Sequence, residues 1–126
     1  MENLNIFGEK LKSCSLKPLT GYFRDGCCNT DKSDYGMHTV CAIVTAEFLE
    51  FSKASGNDLS TARPEHRFEG LKPGDRWCLC APRWMEAFQA GMAPLIDLEA
   101  TNEKTLEIIP MDLLLKFAWR TEMDKS

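Results

Sequence analysis

The chain has no basic surplus: 15 Lys plus Arg stand against 19 Asp plus Glu, a formal net charge of −4 at pH 7. A protein that neutralises nucleic-acid phosphates needs the opposite balance, so no nucleic-acid partner is expected. Nor do basic and aromatic residues interleave as they do on single-strand binding surfaces. Long apolar runs are missing too. None approaches the ~20 residues of a membrane helix, so no membrane partner is expected. Met1 to Thr20 carries charges throughout and lacks the apolar stretch of a secretory leader, which points to a cytoplasmic protein. Repeats and linkers are absent, leaving one small domain over 1–126 with loosely held ends. Histidine is scarce, with only His38 and His66.

Cysteine is plentiful: Cys14, Cys27, Cys28, Cys41, Cys78 and Cys80. Disulfide frameworks belong to small exported chains, and a chain of this length can bury a sufficient core without them. Reduced thiols are therefore expected, most of them filling core space. Two other uses are open. Cys14, Cys27, Cys28 and Cys80, with His38 nearby, offer soft ligands for zinc or an iron–sulfur centre. The spacing is poor for this, because adjacent cysteines and a Cys-x-Cys pair on a strand do not match the usual C-x₂₋₄-C turn. A reactive thiol needs a cation, a histidine or a helix N-terminus beside it. Cys80 lies two residues before Pro82, at the expected start of a helix; Cys28 follows Arg24 closely. The candidates for catalysis are thus Cys28, Cys80 and His38, with His66 a solvated loop residue.

Periodicity predicts an α+β fold, about three helices on a small mixed sheet. A short strand over Leu19–Arg24 leads into the turn Asp25-Gly26. The polar loop Asp31 to Gly36 has the wrong residues at the fifth and twelfth places for calcium. The wide apolar stripe from Thr39 to Ser55 predicts a long central helix, stopped by Gly56-Asn57. A long loop, 57–75, follows without core pattern. Arg76–Cys80 alternates as a strand, Pro82 opens a helix ending at Gly91, and Leu95–Ala100 and Leu106–Ile109 read as strands. Pro110 starts a last helix, with Leu113, Leu114, Phe117 and Ala118 inward.

Four segments are distinctive: Leu19-Thr20-Gly21-Tyr22-Phe23-Arg24-Asp25-Gly26-Cys27-Cys28, His38-Thr39-Val40-Cys41-Ala42, Gly56-Asn57-Asp58-Leu59-Ser60-Thr61 and Gly70-Leu71-Lys72-Pro73-Gly74-Asp75-Arg76-Trp77-Cys78-Leu79-Cys80-Ala81. Through them the chain, from about Ile6 to Ala118, resembles a largely bacterial family of small proteins, domain of unknown function 2237. The resemblance implies a single small domain and carries no activity, cofactor or catalytic residue with it.

Turn residues, charges and thiols gather in three of these stretches. Arg24, Asp25, Asn29, Asn57, Asp58, Asp75, Arg76 and Trp77 are expected to line a polar cleft for a small anionic molecule, because guanidinium forks bind carboxylate or phosphate at two points. The competing reading pairs Arg24, Arg76 and Arg83 internally with Asp25, Asp58 or Asp75. Composition leaves the oligomeric state undetermined.

Overall fold

The computed structural model describes residues 3–119. Its centre is a strand, β1 (His38–Ile43), flanked by β2 (Arg76–Cys80) and β3 (Leu95–Ile96) in an antiparallel sheet of order β2-β1-β3. Three α-helices complete the domain: α1 (Ala46–Ala54), α2 (Ala81–Gln89) and α3 (Met111–Lys116). The fold is a small mixed α+β domain, as the periodicity predicts. No helix among the described residues is long and apolar enough to cross a membrane.

The long central helix is corrected. Its first half is β1, and only its second half is helical. Val40, Cys41 and Ala42 are fully buried and Val44 nearly so, since a middle strand is covered on both faces and shows no polar alternation. Such a run reads equally as buried helix or buried strand by periodicity; the β-branched residues Thr39, Val40, Ile43 and Val44 favour the strand. The break between the two halves is Thr45, extended at φ −115°, whose hydroxyl accepts the Phe48 amide and caps α1. Helix α1 then buries Phe48, Leu49 and Ser52, packs beside α2 and ends before Gly56, which is left-handed at φ +92°.

Pro82 sits in the first turn of α2, which buries Ala81, Trp84 and Ala87. Trp84 is completely buried and donates its indole N–H to the Pro94 carbonyl at 3.0 Å. Phe117 meets its ring edge-on at 5.0 Å, locking α2 to the end of α3.

Three expected strands are shortened or replaced. Only Leu95–Ile96 pairs as a strand, because the chain then folds into a 3₁₀ turn, Leu98–Ala100. The strand expected at Leu106–Ile109 is preceded and overlapped by a 3₁₀ turn, Glu103–Glu107, which Asn102 caps by accepting the Lys104 amide at 2.9 Å. Leu19–Arg24 forms turns around Gly21, at φ +102° and with no room for a Cβ against the Cys27 carbonyl.

The thiol expectation is also corrected. Cys14 is bonded to Cys41 and Cys28 to Cys78, with Cα atoms 5.7 and 5.3 Å apart, inside the range a disulfide spans. The bonds reach 27 and 50 residues along the chain, so only the tertiary fold brings these sulfurs together. They tie the N-terminal arm to β1 and the loop after Gly26 to β2. The arm is anchored further by Asn5, itself buried, whose side chain accepts the amides of Phe7 and Glu9 and donates to the Glu99 carbonyl.

Candidate active site

Strands β1 and β2 bring two of the candidate catalytic residues side by side. His38, the first residue of β1, is the cross-strand partner of Cys80, the last of β2. Directly opposed residues in an antiparallel pair hold their Cβ atoms about 5 Å apart on one face. The register shifts between His38 and Val40, so this pair stands at an irregular strand end rather than within the regular ladder.

Cys80 also immediately precedes α2. Its side chain makes no capping hydrogen bond to the helix, and Ala81 spends its amide on the Met37 carbonyl at 2.9 Å. The sulfur is thus half-buried, at the positive end of a helix, and not consumed by a cap.

His38 is held from behind. Its Nδ1 lies 2.6 Å from Asp34 Oδ1, and the Asp34 side chain is fully buried. The other oxygen of Asp34 accepts the His38 backbone amide at 2.9 Å and the Thr30 hydroxyl at 3.0 Å. Four-residue spacing between Asp34 and His38 in a tight loop produces this grip. Met37 makes the turn possible by adopting the left-handed region, φ +51°, which costs a non-glycine residue about 1 kcal/mol. Tyr22 stacks on the imidazole with ring centroids 5.9 Å apart and anchors itself by donating its hydroxyl proton to the Ser33 carbonyl.

His38 is pushed up to about 9, first by hydrogen bonding with Cys80, with Asp34 adding to the effect and burial opposing it. With Nδ1 engaged by Asp34, Nε2 is the ring nitrogen left outside that bond. In front of the pair lies Gly36. A Cβ there would come within 2.9 Å of His38 Cε1 and 3.2 Å of Cys80 Sγ. Glycine therefore lets the loop pass close against both groups without a clash. A thiol, an imidazole and a buried carboxylate in this order have the parts of a nucleophile, its base and the group that orients the base.

The other expected site residues lie elsewhere. Cys28 is not a free thiol, being joined to Cys78. Of the four expected metal ligands, Cys14 and Cys28 are in different disulfides, while Cys27 and Cys80 remain free. Cys27 lines a hollow of about 460 Å³ with Asn3, Lys10 and Phe23; burial and then Asp25 push its thiol up. Arg76 pairs with Asp97 and lies 4.3 Å over the Trp119 ring. Arg24 is exposed, 5.1 Å over the ring of Trp77, and donates to the Gly21 carbonyl. That contact joins the 24–29 and 76–77 stretches.

The acids of the expected cleft serve local turns. Asp25 accepts from the Cys27 amide and from Asn29, Asp58 from Ser60 and Thr61, and Asp75 from the Lys72 amide. Asn57 is tied to the end of α1 through Ser52. Among the described residues, none of these three acids forms an ion pair with an arginine; Arg83 pairs with Glu86 instead.

Sequence reasoning named Cys80 and His38 but missed Asp34, Tyr22 and Gly36. The available signal was an Asp four residues before a His that opens a strand, one that a cysteine-bearing strand could pair.

A family model described as an uncharacterized protein conserved in bacteria, DUF2237, matches residues 4–118. The chain belongs to this family. The DUF2237 match spans Tyr22, Asp34, Gly36, His38 and Cys80, so the whole constellation lies inside the family's domain. Comparison with curated proteins finds no match to the chain.

Proposed function

We propose that this DUF2237 protein is a thiol-dependent enzyme acting on an activated carbonyl, such as an ester, thioester or amide. The observation that carries this reading is that buried Asp34 grips His38 while strand pairing sets His38 directly opposite a free Cys80 at a helix N-terminus. Cys80 attacks the carbonyl carbon as its proton passes to His38. His38 then returns that proton to the leaving group as the carbon–heteroatom bond breaks, leaving an acyl thioester on Cys80. Water attacks this thioester with His38 accepting its proton; the acid departs and the thiol is restored. Asp34 holds the ring in one orientation and stabilises the imidazolium.

The test is alkylation by iodoacetamide at pH 7, mapped site by site on the folded chain. Cys80 should react well ahead of Cys27, whose thiol is pushed up by burial and Asp25. His38→Ala should slow Cys80 at least about tenfold, because the sulfur loses the imidazole that takes its proton. Gly36→Val should slow it as well, by crowding His38 and the Cys80 sulfur, while leaving Cys27 unchanged. Equal rates at Cys80 and Cys27 in the parent chain would refute the proposal.

A small anionic ligand is the second reading, favoured by Arg24, which is exposed and lacks an acid partner among the described residues. A thermal-shift series with phosphate and small dicarboxylates should lose its response in Arg24→Ala. A cytoplasmic setting belongs to the same proposal; there, disulfides are usually transient or regulatory rather than fixed.

A further inference from the structure

Cys14, Cys28, Cys41 and Cys78 converge from four parts of the chain: the arm, the loop after Gly26, the middle of β1 and the middle of β2. Cys41 and Cys78 are cross-strand partners, yet each bonds to a cysteine outside the sheet rather than to the other. All four are buried, and with Ala100 they make a cluster separate from the main core. The sulfurs of Cys14, Cys28 and Cys78 lie within 4.8 Å of one another, and that of Cys41 is bonded to Cys14. Four thiolates around one tetrahedral ion, at ~2.3 Å each, stand ~3.8 Å apart. The sulfurs of Cys14, Cys28 and Cys78 are therefore within about an ångström of that spacing, and Cys41 adjoins them through its bond to Cys14. This spacing suits one ion rather than a polynuclear iron–sulfur cluster, whose thiolates sit on different metal atoms.

We infer that these four cysteines form a two-state sulfur site, two disulfides when oxidised and a four-thiolate site for one zinc-class ion when reduced. Two dithiol molecules supply four electrons and four protons to the two disulfides and leave as two disulfides themselves. The four thiols then release four protons as they bind one divalent ion. Both states cross-link the same four segments, so the arm and the 26–29 loop stay fastened to the sheet in either. The strand ligands are positioned in advance: the amide of Cys41 is held by the buried hydroxyl of Thr101, and that of Cys78 by the buried hydroxyl of Thr20. Soft, polarisable thiolates select zinc or a similar ion over magnesium or calcium.

The experiment reduces the full chain with a phosphine without oxygen, removes the phosphine, and titrates cobalt(II), then zinc. The expected result is one cobalt per chain with the intense visible bands of a tetrahedral tetrathiolate, displaced by one zinc. The bound zinc should protect four thiols from alkylation, and mass spectrometry should identify them as Cys14, Cys28, Cys41 and Cys78. The Cys27→Ser/Cys80→Ser double variant should bind equally well, and the unreduced chain should take up none. Protection of Cys27 or Cys80 instead, or a spectrum of nitrogen or oxygen ligation, would overturn the inference. So would a reduced chain that binds no metal, folded or unfolded. Because the protection map is read on the unmodified chain, the result does not hang on whether a cysteine variant folds. It is also independent of Cys80 chemistry, which the double variant removes.

Discussion

Replacing Asp34 by asparagine tests the relay through stability, before any substrate is known. His38 moves from 6.5 to about 9 in the folded chain, chiefly through Cys80 and then Asp34. A raised value means that the folded chain binds the proton more tightly than the unfolded one. The resulting stability is complete below about pH 6.5 and is lost as pH rises through about 9. At about 1.4 kcal/mol per pH unit the ceiling is ~3 kcal/mol, but the His38 side chain is 35% exposed, and solvent screening reduces this to ~1–2 kcal/mol. In Asp34→Asn the new side chain keeps one acceptor oxygen where the carboxylate uses two. Its amide nitrogen would then face a donor, either His38 Nδ1–H or the His38 backbone N–H. Losing charge-assisted bonds in a buried position costs about 2–3 kcal/mol when His38 is protonated, and about 1 kcal/mol when it is neutral. With about 4 °C per kcal/mol for a domain of this size, Tm should fall by ~8–12 °C at pH 6 and by ~4 °C at pH 10. Proton NMR of the His38 ring should show its titration midpoint dropping from about 9 toward 6.5 in the variant. An equal Tm loss at both pH values, or an unperturbed midpoint in the parent chain, would refute the reasoning.

Two further outcomes follow from the same geometry. Loop-closure entropy assigns ~3.5 kcal/mol to the 27-residue Cys14–Cys41 link and ~4 kcal/mol to the 50-residue Cys28–Cys78 link. Reduction with chelator present should therefore lower Tm steeply, and Cys28→Ser should cost slightly more than Cys14→Ser; calorimetry with and without a phosphine checks both. Arg76→Ala should cost ~2–3 kcal/mol in denaturant unfolding, since it strands Asp97 and removes the stack on Trp119. Arg24→Ala, at an exposed position unpaired with an acid among the described residues, should cost less than ~1 kcal/mol.

The parts of the fold that sequence reading recovers are those with local chemistry. The short apolar stretch Arg76–Cys80 is the strand expected there, and α2 and α3 begin beside Pro82 and Pro110, whose fixed φ marks a helix start. What it loses is decided at a distance. Thr39–Val44 is largely apolar because both faces of the strand are buried, Val40 and Ala42 in the main core and Cys41 in the sulfur cluster, and nothing in its periodicity distinguishes that from a buried helix. Leu106–Ile109 alternates like a strand, but the Asn102 side chain takes the next turn's amide and winds the chain instead.

The site divides in the same way. Cys80 is legible because a thiol before Pro82 sits at a helix N-terminus whatever the rest of the chain does. Its partnership with His38 depends on strand register, and a one-residue slip would turn the two side chains to opposite faces. The sulfur cluster lies at the same limit: its members are 27 and 50 residues apart in their bonded pairs, so no spacing rule could assemble it. The two features share strand β2, where Cys78 belongs to the buried cluster and Cys80, two residues on, belongs to the relay. A change in the bonding of Cys78 therefore acts on the strand that sets the His38–Cys80 register. Reducing the disulfides should accordingly alter the rate at which iodoacetamide alkylates Cys80, even where zinc keeps the fold intact. An unchanged rate would show that the cluster and the relay act independently.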